Sequence, residues 1–191
     1  MTLGGMALNL NHWFEKGITY GEYEKGLTDH EENYNKIYEQ FTLPADAEFF
    51  KQVADSNVRT TIIAEPWCGH CMMNLPIFKN LAEKTDMDTR VCLRDTHPEL
   101  MDAYETDGKR VIPIFVFIDK EGNEIAKWGP RAPETTEIQK EVLKDMPEKG
   151  APDYDEMFKV KVKELSSTFA GNEDLWQEIY QDMKQTIKTA L

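Results

Sequence analysis

The chain has 191 residues and a net charge of −13; 40% of its residues are apolar and 30% charged. That length can bury a hydrophobic core without disulfide staples, and the acid excess, with lysines and arginines scattered singly, disfavours a nucleic-acid partner. Three cysteines are too few for a secreted disulfide scaffold, and no run approaches the roughly 20 apolar residues that span a bilayer.

The opening residues MTLGGMALNLNHWFEKG lack a basic segment followed by a clean apolar one, so no signal peptide is expected and a cytoplasmic location fits. Residues 1–43 read as helical. Thr28 and Glu31 have capping-box spacing, followed by Tyr34, Ile37, Tyr38 and Phe41 at helical period. Pro44 ends that helix, and a second starts near Asp46 with Phe49, Phe50 and Val53 on one face. The period then changes. VRTTIIAE from Val58 is short, β-branched and bounded by turn-formers, which predicts a buried strand.

Cys71, Leu75, Phe78 and Ala82 follow at helical spacing, so a helix starts at the CGHC sequence itself, with Pro76 expected to kink it. TRVCLR (89–94) reads as a strand, and Pro98 opens a short helix with Leu100, Met101 and Tyr104. VIPIFVFID is a central strand, joined through KEGN to EIAKW as a hairpin. Residues 134–145 predict a helix. After Pro147, GAPD is a linker to two amphipathic helices, the first capped by Asp153 with Glu156, the second striped by Leu175, Ile179, Met183 and Ile187. The first two strands, joined by a helical crossover, are expected to be parallel, with the hairpin antiparallel.

Cys68 and Cys71 admit three readings: a redox couple, part of a metal site, or small core residues. Structural zinc normally takes four ligands, and only Cys92 and four unpaired histidines remain to complete a set; an iron–sulfur centre would have to be shared across a dimer. The position favours redox chemistry. Cys68 lies where a strand meets a helix, so free N–H groups and the positive end of the helix dipole point at its sulfur and stabilise thiolate. Cys71 lies one turn further in, on the core side, so Cys68 is expected to be the exposed, acidic thiol and Cys71 the sheltered one, placed to resolve a mixed disulfide. His70, between them, is expected to tune the pair as an imidazolium, together with Gly69. Cys92, in mid-strand, reads as a buried small hydrophobe.

With WCGHC, Pro76 in the following helix, Ile112-Pro113 at the head of an apolar strand, and Gly122 and Gly129 in and after the hairpin, the chain resembles the thioredoxin superfamily over residues 45–146. Its RDTHPELMDAY and WGPRAP segments look like those of bacterial members with elaborated termini. The resemblance implies an α/β thioredoxin fold: a mixed sheet of four or five strands with helices on both faces, between helical extensions at 1–44 and 147–191. It implies a thiol–disulfide oxidoreductase with Cys68 as nucleophile, Cys71 as resolving thiol, and a substrate groove of Trp67, Ile112, Pro113 and Gly129. No metal is implied, and no cofactor beyond the Cys68–Cys71 disulfide. The partners would be a disulfide-bearing protein or small-thiol substrate and a reductant; membrane and nucleic acid are not expected, and the oligomeric state stays open.

Two departures stand out. Ile62 occupies the position of the family's buried acid, and Glu65, the nearest carboxylate, is expected to face differently. The usual first strand is replaced by helical sequence. Two alternatives stay open: a glutaredoxin-like reductase serving a low-molecular-weight thiol, and a protein-binding adaptor with little turnover. The extensions are expected to pack on the domain away from the groove, rather than wall it or dimerise.

Overall fold

The computed structural model describes residues 2–3 and 6–191, with side chains from Leu8 onward. Two-residue strands β1 (Thr2–Leu3) and β2 (Met6–Ala7) pair antiparallel. Three short helices follow: α1 (Leu10–Lys16), α2 (Tyr20–Glu24) and α3 (Glu31–Gln40). Then come α4 (Ala47–Ser56), β3 (Arg59–Ala64), α5 (Gly69–Lys84), β4 (Thr89–Leu93) and α6 (Pro98–Ala103). The chain continues through β5 (Ile114–Ile118), β6 (Glu124–Trp128), α7 (Pro133–Leu143), α8 (Tyr154–Ala170) and α9 (Glu173–Ala190).

Strands β3 to β6 form one four-stranded sheet in the order β4-β3-β5-β6. β3 runs parallel to β4 (Ile62 opposite Val91) and antiparallel to β5 (Ile62 opposite Phe115), and β5–β6 is the expected hairpin. No fifth strand joins it among the described residues; instead Ile18 exchanges two 2.8 Å backbone bonds with Val91, at the middle of the outer edge of β4. Alternation along the strands decides what each face meets. Ile62, Phe115 and Phe117 face α5, where Phe78 packs 4.9 Å from Phe115 and 5.9 Å from Phe117. Ile63 and its neighbour Cys92 face the other way; the Cys92 thiol reaches Trp13 O at 3.3 Å on α1. Trp13 in turn meets His97, at the head of α6. Helices therefore cover both faces.

Two expected caps are replaced. Thr28 and Glu31 form no capping box: α3 starts at Glu31 behind His30, and the box is built at Thr19 and Glu22 on α2 instead. Asp153 makes no side-chain cap on α8, whereas Asn172 caps α9 through Leu175 N–H at 3.0 Å.

The terminal helices are part of the core. Phe169, Trp176, Ile179, Tyr180, Met183 and Ile187 of α8 and α9 are buried with the sheet residues in one cluster. α9 is tied down by Trp128 Nε1, which donates to Asp182 at 2.7 Å, and by Tyr180 and Lys184, which donate to Asp46 at 2.7 and 2.8 Å. No helix among the described residues is long and apolar enough to cross a membrane.

Candidate functional site

The strand β3 ends at Ala64, the chain turns at Pro66 and Trp67, and α5 begins at Gly69, so Cys68 is its N-cap. Its backbone is extended (φ −85°, ψ 124°), which aims the sulfur across the first turn, and Cys71 N–H donates to Cys68 Sγ at 3.4 Å. The other side of that sulfur meets Ile112 O at 3.8 Å. Ile112-Pro113 is cis, and Gly129 (φ +124°) lies against it so closely that a β-carbon there would sit 2.4 Å from Pro113 O. Cys68, Cys71, Ile112, Pro113 and Gly129 thus meet at one end of the sheet.

The two thiols differ in acidity. Cys68 is held below the ordinary thiol range, first by the hydrogen bond from the Cys71 thiol, then by the N–H groups of Cys71 and His70 and the charge of Arg94, all against the cost of its own burial. Cys71 is pushed well up, chiefly by burial and then by the hydrogen bond it gives to Cys68. Their exposures, 8% and 0%, are closer than expected: Cys68 is covered too.

His70 stands differently from the expectation of an imidazolium beside the nucleophile. Its ring packs 5.2 Å from Phe169 of α8, and burial, with Arg131 nearby, lowers its pKa to about 4. It is neutral at neutral pH; it reaches the thiolate through its backbone N–H, and the cations near Cys68 are Arg94 and Arg131.

The extensions also wall the site, contrary to the expectation that they pack elsewhere. Ser166 Oγ lies 3.5 Å from where a β-carbon of Gly69 would be. His30 Nε2 sits 3.1 Å from Trp67 O; a carbonyl only accepts, so the ring donates from that nitrogen. Tyr23 of α2, 1% exposed, donates to Glu65 O at 3.0 Å, the same carbonyl that accepts Cys68 N–H at 3.2 Å. Burial raises the Tyr23 hydroxyl far above its usual range, so it stays a donor. Arg94 lies 4.8 Å over the Trp67 ring.

Tyr23, His30, Arg94, Arg131, Ser166 and Phe169 were not marked by sequence reasoning. Arg94 and Arg131 lie in the RDTHPELMDAY and WGPRAP segments, which the resemblance singled out without assigning them work. The others are brought in by long-range packing.

Ile62 faces α5, as the family's acid would, but is apolar and fully buried. Glu65 lies one residue past the end of β3; its carboxylate accepts Asp95 N–H at 2.9 Å, burial raises its pKa, and its charge adds to the push on the Cys71 thiol. Among the described residues no His, Cys, Asp or Glu side chains cluster as a metal site. The Cys92 thiol is pushed up to about 12 by burial.

The sequence model of a thioredoxin family matches residues 17–145, beginning ahead of α2. No curated protein matches the chain. Two solved structures share its fold. A protein of unknown function from Pseudomonas aeruginosa superposes with a TM-score of 0.64 at 14% identity, over 97% of this chain and all of that one. An HIV epitope-scaffold superposes with a TM-score of 0.65 at 16% identity, over 96% of this chain and all of the scaffold. Both span the terminal helices as well as the sheet, so this arrangement with extensions recurs as a unit. With a family match over more than half its length, around a CGHC sequence at a strand–helix junction, the chain belongs to the thioredoxin family.

Proposed function

We propose that the protein is a thiol–disulfide oxidoreductase. One observation carries the reading: two thiols of opposed acidity share a helix N-terminus, with Cys71 N–H 3.4 Å from Cys68 Sγ. The Cys68 thiolate attacks one sulfur of a substrate disulfide; an S–S bond breaks, the first substrate thiolate leaves, and a mixed disulfide forms. Cys71 then gives up its proton and attacks Cys68 Sγ, expelling the second substrate thiolate. The substrate gains two electrons and two protons, one released by Cys71 and one from water, which took the Cys68 proton when the thiolate formed; the protein is left as the Cys68–Cys71 disulfide, which a reductant must reopen. With Ile62 apolar and the Glu65 carboxylate engaged by Asp95 N–H, no carboxylate stands in for the family's buried acid, and the Cys71 proton passes to water or to the departing thiolate.

Trp67, Ile112, Pro113 and Gly129 are the groove around the attacked sulfur in this reading. Gly69 and His70 tune the pair through the backbone of the first turn. The compartment is the cytoplasm, where reduced thiols persist.

The coverage of Cys68 and the apolar Ile62 favour a second reading, a protein-binding adaptor with little turnover. Insulin reduction by the reduced protein separates the two. The oxidoreductase reading expects turnover, loss of it in Cys68→Ser, and accumulation of mixed disulfides in Cys71→Ser. No wild-type turnover with any reductant would sink it in favour of the adaptor.

A further inference from the structure

Beside the CGHC turn, the N- and C-terminal extensions leave a trough of about 710 Å³ between the start of α3 and the exposed side of α8. Its apolar surface is made by Trp67, Phe158 and Val162, which are 56%, 45% and 38% exposed. These are three of the five large apolar side chains exposed among the described residues, and they line one depression. Exposed apolar side chains gathered in one place and rimmed by polar groups mark a binding surface. The rims carry opposite charge, Asp29 on the α3 side and Lys159 and Lys163 on α8. Neither lysine has an ion-pair partner in this chain among the described residues.

The trough is continuous with the candidate nucleophile. Trp67 immediately precedes Cys68, and its carbonyl is pinned by His30, which also lines the trough. Whatever lies on the Trp67 ring is therefore within one residue of the reacting sulfur. A small polar thiol has no apolar surface to cover Trp67, Phe158 and Val162. An extended polypeptide does: its side chains alternate, so one bulky apolar residue faces down while its neighbours face the charged rims.

The geometry points to this trough as a docking site for an extended, disulfide-bearing polypeptide substrate, with an apolar side chain next to its cysteine seated on Trp67, Phe158 and Val162. The inference rests on the function proposed above, names its substrate class, and assigns the extensions the work of selecting it.

A test that needs no turnover comes first. The Cys68→Ser protein is titrated with a fluorescent peptide in which a serine, standing for the cysteine, is flanked by Leu and Phe. Saturable binding is expected, weakened about tenfold or more by the pair Phe158→Ser and Val162→Ser. Replacing the peptide's Leu and Phe by Ser should weaken it equally. Both protein side chains are exposed, so circular dichroism should show an unchanged fold. Absent binding, or binding indifferent to these changes, overturns the proposal.

Turnover adds a second arm in the chain with both cysteines. The paired substitution should lower kcat/KM for insulin about tenfold and leave that for 2-hydroxyethyl disulfide unchanged. Equal loss on both substrates overturns the proposal in favour of a small-thiol site. A dimer that sedimentation shows to be dissociated by the same substitutions overturns it in favour of a second copy. Peptide binding as expected, with neither disulfide reduced by wild type, upholds the trough and rejects the oxidoreductase reading instead.

Discussion

The His70 and Phe169 rings lie 5.2 Å apart, joining the CGHC turn to the C-terminal extension. The contact removes water from the imidazole and holds its pKa at about 4. The unfolded chain carries an ordinary histidine near 6.5. Between those values the unfolded state binds a proton that the folded state does not, so stability falls as pH drops from about 6.5 to about 4 and levels off below. The expected loss is roughly 3–4 kcal/mol across that window, at 1.36 kcal/mol per unit. Urea unfolding at stepped pH checks it: His70→Asn should remove this part of the acid sensitivity. The pH profile of Cys68 alkylation should show a single thiolate step below the ordinary thiol range, with no second step near 6.5. A histidine step there would restore the imidazolium.

Gly129 and Gly69 should respond in opposite ways to a methyl group. At Gly129, φ is +124° and the added carbon would press on Pro113 O at 2.4 Å, a backbone atom that cannot swing aside. Gly129→Ala is expected to cost roughly 2–4 kcal/mol in thermal or urea unfolding and to disturb the loop that faces Cys68. At Gly69 the nearest atom is Ser166 Oγ at 3.5 Å, an ordinary contact. Gly69→Ala should fold with stability within about 1 kcal/mol of wild type. If the two variants unfold alike, the close approach at Gly129 is not what shapes the loop.

Asp46 ties α9 to the head of α4. Lys184 and Tyr180 both donate to its carboxylate, which holds it below the usual carboxylate range. A depressed folded pKa means the contribution is present above the unfolded value, near 3.9, and is lost as pH falls through the folded one. At neutral pH, Asp46→Ala is expected to cost about 1.5–3 kcal/mol, as for hydrogen bonds to a charged group. As pH falls through that depressed value the gap between variant and wild type should narrow; a gap independent of pH would mean the loss is packing and not charge.

The sheet was legible because its signals are local. IIA, VCL and IFVFI are short β-branched and aromatic runs, and all became central or edge strands where expected. The strand-to-helix position of Cys68 followed from the same runs. The covering of the site was not legible. Tyr23, His30 and Phe169 reach it from tens to a hundred residues away in sequence, and no spacing rule links them to CGHC. His70 shows the consequence: read locally it is a cation beside a thiolate, and only α8 packing on it makes it neutral. The Thr28 and Glu31 pattern failed for a related reason. Its spacing fits a cap, but the chain turns through residues 28–30 so that His30 precedes the helix, and a five-residue helix such as α2 is too short to show a period.

The C-terminal extension should prove indispensable to the fold. Phe169, Leu175, Trp176, Ile179, Tyr180, Met183 and Ile187 are each at most 3% exposed. At about 1.5–3 kcal/mol per large side chain, their burial is worth on the order of 10–20 kcal/mol. That matches or exceeds the 5–15 kcal/mol by which a domain is normally stable. Removing residues 147–191 would also strip Trp128 Nε1 of Asp182, and uncover the face of β6 and α5 on which α9 lies. The truncated chain is therefore expected to lose cooperative unfolding and to bind a hydrophobic dye. Cys68, no longer beside Ser166 and Phe169, should be alkylated many-fold faster. A truncated protein that melts cooperatively within a few degrees of the full chain would show that the helices merely decorate an independent domain. If it also kept the wild-type alkylation rate, the walls assigned to α8 would have to be withdrawn.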